Sequence, residues 1–349
     1  MGIIIFLIVL SFLVFFHELG HFSAAKFFKV KVLTFSIGFG KKIYSFNWLN
    51  TDWQISLIPL GGYVKMKGQD DTKPNLVDNS DDSYNTRAPW QRIIILLAGP
   101  FFNFLLAGIL YFFIAIIGVN ALSPTIGTIV PNSAAFKNNL QKNDKIIQIN
   151  NTKIKTWTKL AELITTSKGA LSVYFLRDEK VYKKIISPKI KKSKNIFGED
   201  IQKRLLGISP KFKIIKVHYN FFPAIKYGYD QTIKASKLIF QGVIKLIEGV
   251  VPSRQIGGVI SIAKIISSAS QNGIVALFTV IALVSVNLGV LNLLPIPALD
   301  GGHIIFNIYE IIARRKASDK VFMFLTICGW IILVFLMLLG FYNDITRFF

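Results

Sequence analysis

The chain has 349 residues, 52% of them hydrophobic and 30 of them Phe, which excludes an ordinary soluble globular protein. Lys and Arg number 41 against 19 Asp and Glu, a formal charge of +22 concentrated between the second and third apolar stretches. That segment has no aromatic-basic motif, so nucleic acid is excluded as a partner and membrane lipid with anionic headgroups is the one its charge suits. A Lys/Ile/Asn-rich bias of the whole chain accounts for the charge equally well. The single Cys328 excludes an intrachain disulfide.

Four stretches reach the roughly 20 apolar residues that a bilayer crossing needs: about 2–25, 93–118, 274–294 and 321–341. The first lacks a positive n-region and a small-residue cleavage site, so it is read as a retained span. Its residues 2–16 carry no charge, and then His17-Glu18-Leu19-Gly20-His21 follows at a depth where ionisable groups mark function. On a helix, His17 and His21 share one face and suit two ligands of a Zn²⁺ ion. Glu18 lies about 100° round, beside the metal and its water. With four His and six Glu in the chain, the chance expectation of such an H-E-x-x-H is on the order of 0.001. Two histidines and a water leave a tetrahedral site one ligand short.

Residues 31–67 read as extended pieces joined by a tight turn near Asn50-Thr51-Asp52. Residues 68–85 are acidic and polar, a solvated loop. Positive residues flank the connections on one side of the spans: Lys26, Lys29, Lys31, Lys41 and Lys42 after the first, and Arg314, Arg315, Lys316 and Lys320 before the fourth. Those connections are therefore expected in the cytoplasm, and both termini and residues 119–273 outside.

Residues 221–251 carry an apolar stripe (Phe222, Ile225, Tyr229, Ile233, Ser236, Phe240, Ile244, Ile247, Val251), with Lys226, Lys234, Lys237 and Lys245 off it. This predicts an amphipathic helix, lying on the outer membrane interface or packed against the polar segment before it. His218 reads as an ordinary surface histidine.

Residues 287–303, NLGVLNLLPIPALDGGH, place Asp300 at the same depth as the two histidines. Pro295 and Pro297 break the helix there, as is tolerated where backbone lines a cavity. Asp300 is the candidate third ligand. Asn287 and Asn292 are candidate donors to a peptide carbonyl or its oxyanion, or else make interhelical packing bonds. His303 is the rival ligand or a polar partner of the ligands.

HELGH in a first span with N-x-x-P-x-P-x-L-D-G-G in a later one resembles the site-2 protease family of intramembrane zinc metalloproteases, more narrowly its bacterial RseP-type members. Gly61-Gly62-Tyr63-Val64-Lys65-Met66 and Ala98-Gly99-Pro100-Phe101-Phe102-Asn103 extend the likeness over nearly the whole chain. The resemblance implies His17, His21 and Asp300 as ligands of one zinc, Glu18 as catalytic carboxylate, and Asn287 and Asn292 in substrate handling. It implies a membrane-associated β-structure that presents an edge to substrate, around Gly61, Gly62 and Tyr63. Residues 123 to about 188 then look like a PDZ domain, with Ile126 and Gly127 in its carboxylate-binding loop. Asn139 and Asn143 stand where such domains usually have Gly, and Gly257-Gly258-Val259 departs from the family's Gly-Pro-Ile.

The expected fold is a polytopic α-helical membrane protein of about four spans, with a β-hairpin region and an inserted extracytoplasmic PDZ-like α+β domain. Its parts are 1–118, 119–213 (PDZ-like), 214–273 (amphipathic) and 274–349. The expected function is hydrolysis of a peptide bond within the transmembrane segment of a trimmed membrane protein, an anti-sigma factor or a remnant signal peptide, in the bacterial inner membrane. A non-catalytic PDZ-containing adaptor is the alternative, and a zinc transporter a third reading.

Overall fold

The long apolar runs have no internal breaker other than Pro100, so each can satisfy its backbone only within a helix once it leaves water. The computed structural model describes residues 2–69 and 78–348. In chain order come α1 (Gly2–Phe27), β1 (Val32–Trp48), β2 (Thr51–Met66) and α2 (Pro89–Ile117). Then follow β3 (Val119–Leu122), β4 (Ile126–Ile129), α3 (Ala134–Lys137), β5 (Lys145–Ile149), β6 (Thr152–Lys153), α4 (Trp157–Thr166), β7 (Leu171–Arg177) and β8 (Lys180–Ile186). Next are β9 (Lys189–Lys194), β10 (Asp200–Leu205), β11 (Ile208–Pro210) and β12 (Ile214–Val217). The chain ends with α5 (Phe221–Ile247), α6 (Val259–Gln271), α7 (Ile274–Asn292), α8 (Asp300–Ala313) and α9 (Asp319–Phe348). Among the described residues, α1, α2, α7 and α9 are long and apolar enough to cross a membrane. Three of them exceed the expected bounds, α1 by running on to Phe27. α2 starts at Pro89, where a proline at the first helical position costs no hydrogen bond, and α9 continues to Phe348.

The chain divides into two compact units, Met1–Ile114 with Phe222–Phe349, and Ala115–Phe221. In the first, β1 and β2 form an antiparallel hairpin turning at Leu49-Asn50, both with positive φ (51° and 54°), one residue earlier than the sequence suggested. β2 meets β1 along three stretches: Tyr44–Trp48 with Thr51–Ile55, Thr34–Ile37 with Asp52–Ile55, and Val32–Ile37 with Gly62–Met66. The Gly62–Met66 stretch therefore has one neighbour and forms an edge. Phe35, Trp53 and Met66 bury the sheet's inner face against Phe22 and Ala25 of α1. Of the expected acidic loop, residues 70–77 lie outside the described residues. Beside it, hydrogen bonds from Ser80 to Asp78 and from Lys67 to Asp82 hold both carboxyls below the usual carboxylate range.

The amphipathic stripe of residues 221–251 is not the face that α5 buries. Ala224, Gly228, Thr232 and Ala235 are buried, whereas Phe222 is 79% and Ile247 80% exposed. Gly228 lies against the Gly108 carbonyl of α2. Small residues let two helices approach closely, and large apolar side chains are left for lipid. At the other side of this unit, the buried Asp344 of α9 accepts from the N–H groups of Gly258 (3.0 Å) and Ser261 (2.9 Å) and from the Ser261 hydroxyl. It caps the N-terminus of α6, for which Gly258 is the N-cap, so Gly257-Gly258 forms a helix start.

The insert builds its own core from Ile126, Ile146, Leu160, Val173, Phe175 and Ile186. Its main sheet runs β6-β5-β7-β8, and β11 pairs with β4. β12 pairs with β3, so residues 214–217 belong to the insert's sheets, and the boundary drawn at 213/214 moves to about 221. The short β3 and β12 carry too little pattern to show that pairing in sequence.

Replacing Asp344 with Ala strands three donors and should cost about 1–3 kcal/mol. Replacing it with Asn keeps an acceptor and should cost less. Thermal unfolding in detergent checks both, and equal midpoints for Asp344→Ala and the parent would refute this anchoring role.

Candidate active site

α1 turns His17 and His21 to one side, and their Nε2 atoms lie 3.2 Å apart. Oδ2 of Asp300 lies 3.4 Å from His17 Nε2 and 3.5 Å from His21 Nε2. The oxygen is buried and accepts no hydrogen bond. Two imidazole nitrogens and a carboxylate oxygen are a donor set that zinc favours. Bonds of about 2.0–2.2 Å to a tetrahedral ion place its ligand atoms about 3.3–3.6 Å apart, and the three separations lie close to that range. The residues fit the ion.

α2 supports both imidazoles from behind. A Cβ on Gly99 would stand 2.2 Å from His21 Nε2 and 2.8 Å from His17 Cε1, and one on Gly20 would stand 2.2 Å from the Ala98 carbonyl oxygen. The two glycines let α1 and α2 touch backbone to backbone there. Pro100 removes the N–H that would bond the Leu96 carbonyl, which loosens the helix at this turn. His21 Nδ1 donates to the Ile95 carbonyl at 2.9 Å, which fixes its hydrogen on Nδ1 and leaves the Nε2 lone pair for a metal. Asn103, fully buried, stands 3.1 Å from His17 Nδ1, and the Ser285 hydroxyl of α7 donates to the Asn103 carbonyl at 2.7 Å.

Asp300 is the first residue of α8. α7 stops at Asn292, and the loop with Pro295 and Pro297 brings the chain back. Gly301 and Gly302 allow α8 to press on that loop: a Cβ on either would stand 2.3 Å from a loop carbonyl oxygen. Arg92 of α2 and Glu310 of α8 form a partly buried ion pair at 2.7 Å that ties the helix beside the histidines to the helix bearing Asp300. A single Arg and Glu 218 residues apart carry no sequence signal of pairing.

A cavity of about 480 Å³ opens beside these groups and is lined by Glu18, Gly61, Gly62, Asn103, Asn292 and His303, among others. Glu18 is buried, and its stem faces Gly62, where a Cβ would come within 3.3 Å of Glu18 Cγ. The edge stretch of β2 thus borders the carboxylate. Tyr63 turns to a neighbouring cavity of about 600 Å³, which shares Gln69, Ala298 and His303 with the first. Asn292 Nδ2 stands 3.1 Å from His17 Nε2. Asn287 is not among the lining residues: five positions along a helix turn it about 140° away from Asn292. His303 lies outside the ligand triangle, with its ring 5.8 Å from that of Phe322. In the insert, Ile126 is fully buried and its N–H already donates to the Asp144 carbonyl, while Gly127 packs on Pro210. The Ile126 amide is therefore not free to receive a peptide carboxylate.

The profile of "Peptidase family M50" matches residues 5–336. The chain belongs to that family, the site-2 proteases. The M50 protein is 46% identical over 340 residues to "Putative zinc metalloprotease Cj1068" of Campylobacter jejuni, covering 97% of this chain and 92% of the relative. It is 39% identical over 350 residues to a "Putative zinc metalloprotease" of Helicobacter pylori, covering 99% of both. It is 28% identical over 425 residues to "Regulator of sigma-W protease RasP" of Bacillus subtilis, again covering 99% of both. The protein is a zinc metalloprotease of the site-2 type, a membrane protein of bacterial kind.

In this M50 protease, Gly99→Ala should expel zinc or lower its affinity at least about tenfold, because the new methyl and His21 Nε2 cannot share the space. Gly108→Ala, on the same helix with a 3.7 Å contact, is the control and should keep its metal. Zinc content after gel filtration decides; a Gly99→Ala protein with a full complement would show that α2 does not crowd the histidines.

Proposed function

We propose that this M50 protease cleaves a peptide bond inside the transmembrane segment of a membrane protein, with His17, His21 and Asp300 holding one zinc and Glu18 acting as general base and then general acid. The observation that supports this most is the triangle of ligand atoms with Glu18 beside it, in a cavity bordered by a strand edge. Bound zinc supplies Lewis acidity, polarising the scissile carbonyl and acidifying water. Glu18 takes a proton from the attacking water and later delivers it to the leaving amine. Asn292, next to His17, donates through Nδ2 toward the oxygen that gains negative charge.

A transmembrane substrate hides its amides in i→i−4 bonds, so cleavage requires local unwinding. The Gly62–Met66 edge can pair with the released backbone and hold it against Glu18. The insert is read as a PDZ-like extracytoplasmic module, on the order of its strands and helices from β4 to β7, acting to exclude bulky ectodomains. The lysines and arginines flanking α1 and α9 support a cytoplasmic position for the site in a bacterial inner membrane. The printed name of the Bacillus relative ties that protein to sigma-W. On that likeness the substrate is read as an anti-sigma-factor-like protein, or a remnant signal peptide, after prior trimming.

Glu18→Gln should keep one zinc per chain while slowing cleavage of a reporter span by about 10²–10⁴-fold. His17→Ala should lose both metal and activity. Zinc analysis alongside reporter cleavage tests the assignment, and a Glu18→Gln protein that still cuts at the parent rate refutes it.

A further inference from the structure

Asn103 has no place in the mechanism above, yet it is among the most enclosed polar side chains of the membrane unit. It is fully buried, its Nδ2 faces His17 Nδ1 at 3.1 Å, and its Oδ1 is buried without a hydrogen-bond partner. His17 has two ring nitrogens with different neighbours. Nε2 points at Asp300 and His21, and Nδ1 points at Asn103. A neutral imidazole that gives its Nε2 lone pair to a metal carries its hydrogen on Nδ1. That hydrogen needs an acceptor, and an amide nitrogen cannot be one. With zinc on Nε2, an Asn103 Nδ2 left toward His17 would set two donors head to head. A half-turn of the amide, which preserves its shape, brings Oδ1 into the same place, and the surrounding network decides between the two orientations.

We propose that Asn103 is the positioning residue for His17: its Oδ1 accepts the Nδ1–H of His17, fixing the tautomer and ring plane that present Nε2 to zinc. The partner of His21 is the Ile95 carbonyl, so one helix, α2, would orient both imidazoles, by a main-chain oxygen for one and a side-chain oxygen for the other. The Ser285 hydroxyl bound to the Asn103 carbonyl holds that turn of α2 in register with α7, which carries Asn292. Such an outer partner raises the basicity of the ligand and restricts its rotation, and its loss costs about 10–100-fold in metal affinity. The proposal rests on the reading of His17, His21 and Asp300 as ligands.

The test compares Asn103→Leu, of similar size without an acceptor, with Asn103→Asp, which keeps the acceptor and loses the amide donor. Zinc affinity of the full-length protein in detergent is measured by competition with a chromophoric chelator, and the cobalt-substituted protein is examined by visible absorption. Asn103→Leu should bind zinc about 10–100-fold more weakly, with altered cobalt bands. Asn103→Asp should stay within about threefold of the parent, or bind more tightly, with the parent spectrum. Unchanged affinity in a folded Asn103→Leu protein overturns the proposal, and so does a loss of about tenfold or more in Asn103→Asp, which would mean that the donor matters. If Asn103→Leu does not fold, Asn103→Asp decides alone by the same criterion. His17→Ala and Asp300→Ala run in parallel separate the two levels. If these keep stoichiometric zinc, the ligand reading is at fault; if they lose it while Asn103→Leu keeps it, only the role of Asn103 is.

Discussion

Electron-rich atoms crowded together in a low-dielectric interior repel one another unless a cation lies among them. His17 Nε2, His21 Nε2 and Asp300 Oδ2 are held within 3.5 Å of each other in such a place. Much of the membrane unit serves that constraint. Gly20 and Gly99 bring two backbones together behind the imidazoles, Gly301 and Gly302 bed α8 on the proline loop, and Arg92–Glu310 joins the helices on either side. An ion pair of this kind contributes little net stability. Its value here is geometric, since it fixes the C-terminal part of α8 against α2.

The elements around the site differ in how many side chains they bury. α1 and α2 touch through glycines and share buried side chains, whereas α9 buries only Thr326, Gly329, Gly340, Asn343 and Asp344 over 30 residues. Two of those buried residues lie together at its C-terminal end, where Asn343 donates to the carbonyls of Ser253 and Ile256 and Asp344 caps α6. Its N-terminal half, with Met323, Thr326 and Trp330, lines the larger cavity beside the β2 edge.

The sequence was legible wherever function or solvent leaves a periodic or unusual mark. HELGH and LDGG stand out because charges inside apolar runs are rare, and the strands and helices from β4 to β7 follow turn residues and alternation. The stripe on residues 221–251 was visible, and its large residues stay exposed, as a membrane-interface helix requires. In water the apolar face would be buried, whereas in a membrane protein the small-residue face of Ala224, Gly228 and Thr232 packs and the large residues remain outside. The pairing of β12 with β3 was not legible, because four-residue strands have no distinctive periodicity.

His17, His21 and Asp300 could be singled out as candidate ligands from sequence alone, with Glu18 beside them, since the types and spacing of metal-binding side chains are set by coordination chemistry. That Asn292 and Asn103 stand on opposite nitrogens of His17, that Asn287 turns away, and that Ile126 spends its amide on Asp144 followed only from the packed chain. A hydrogen bond between residues 86 or 275 positions apart depends on how helices cross. Crossing is decided by close contacts at Gly20, Gly99 and Gly301, where one hydrogen in place of a methyl changes the distance between backbones by ångströms.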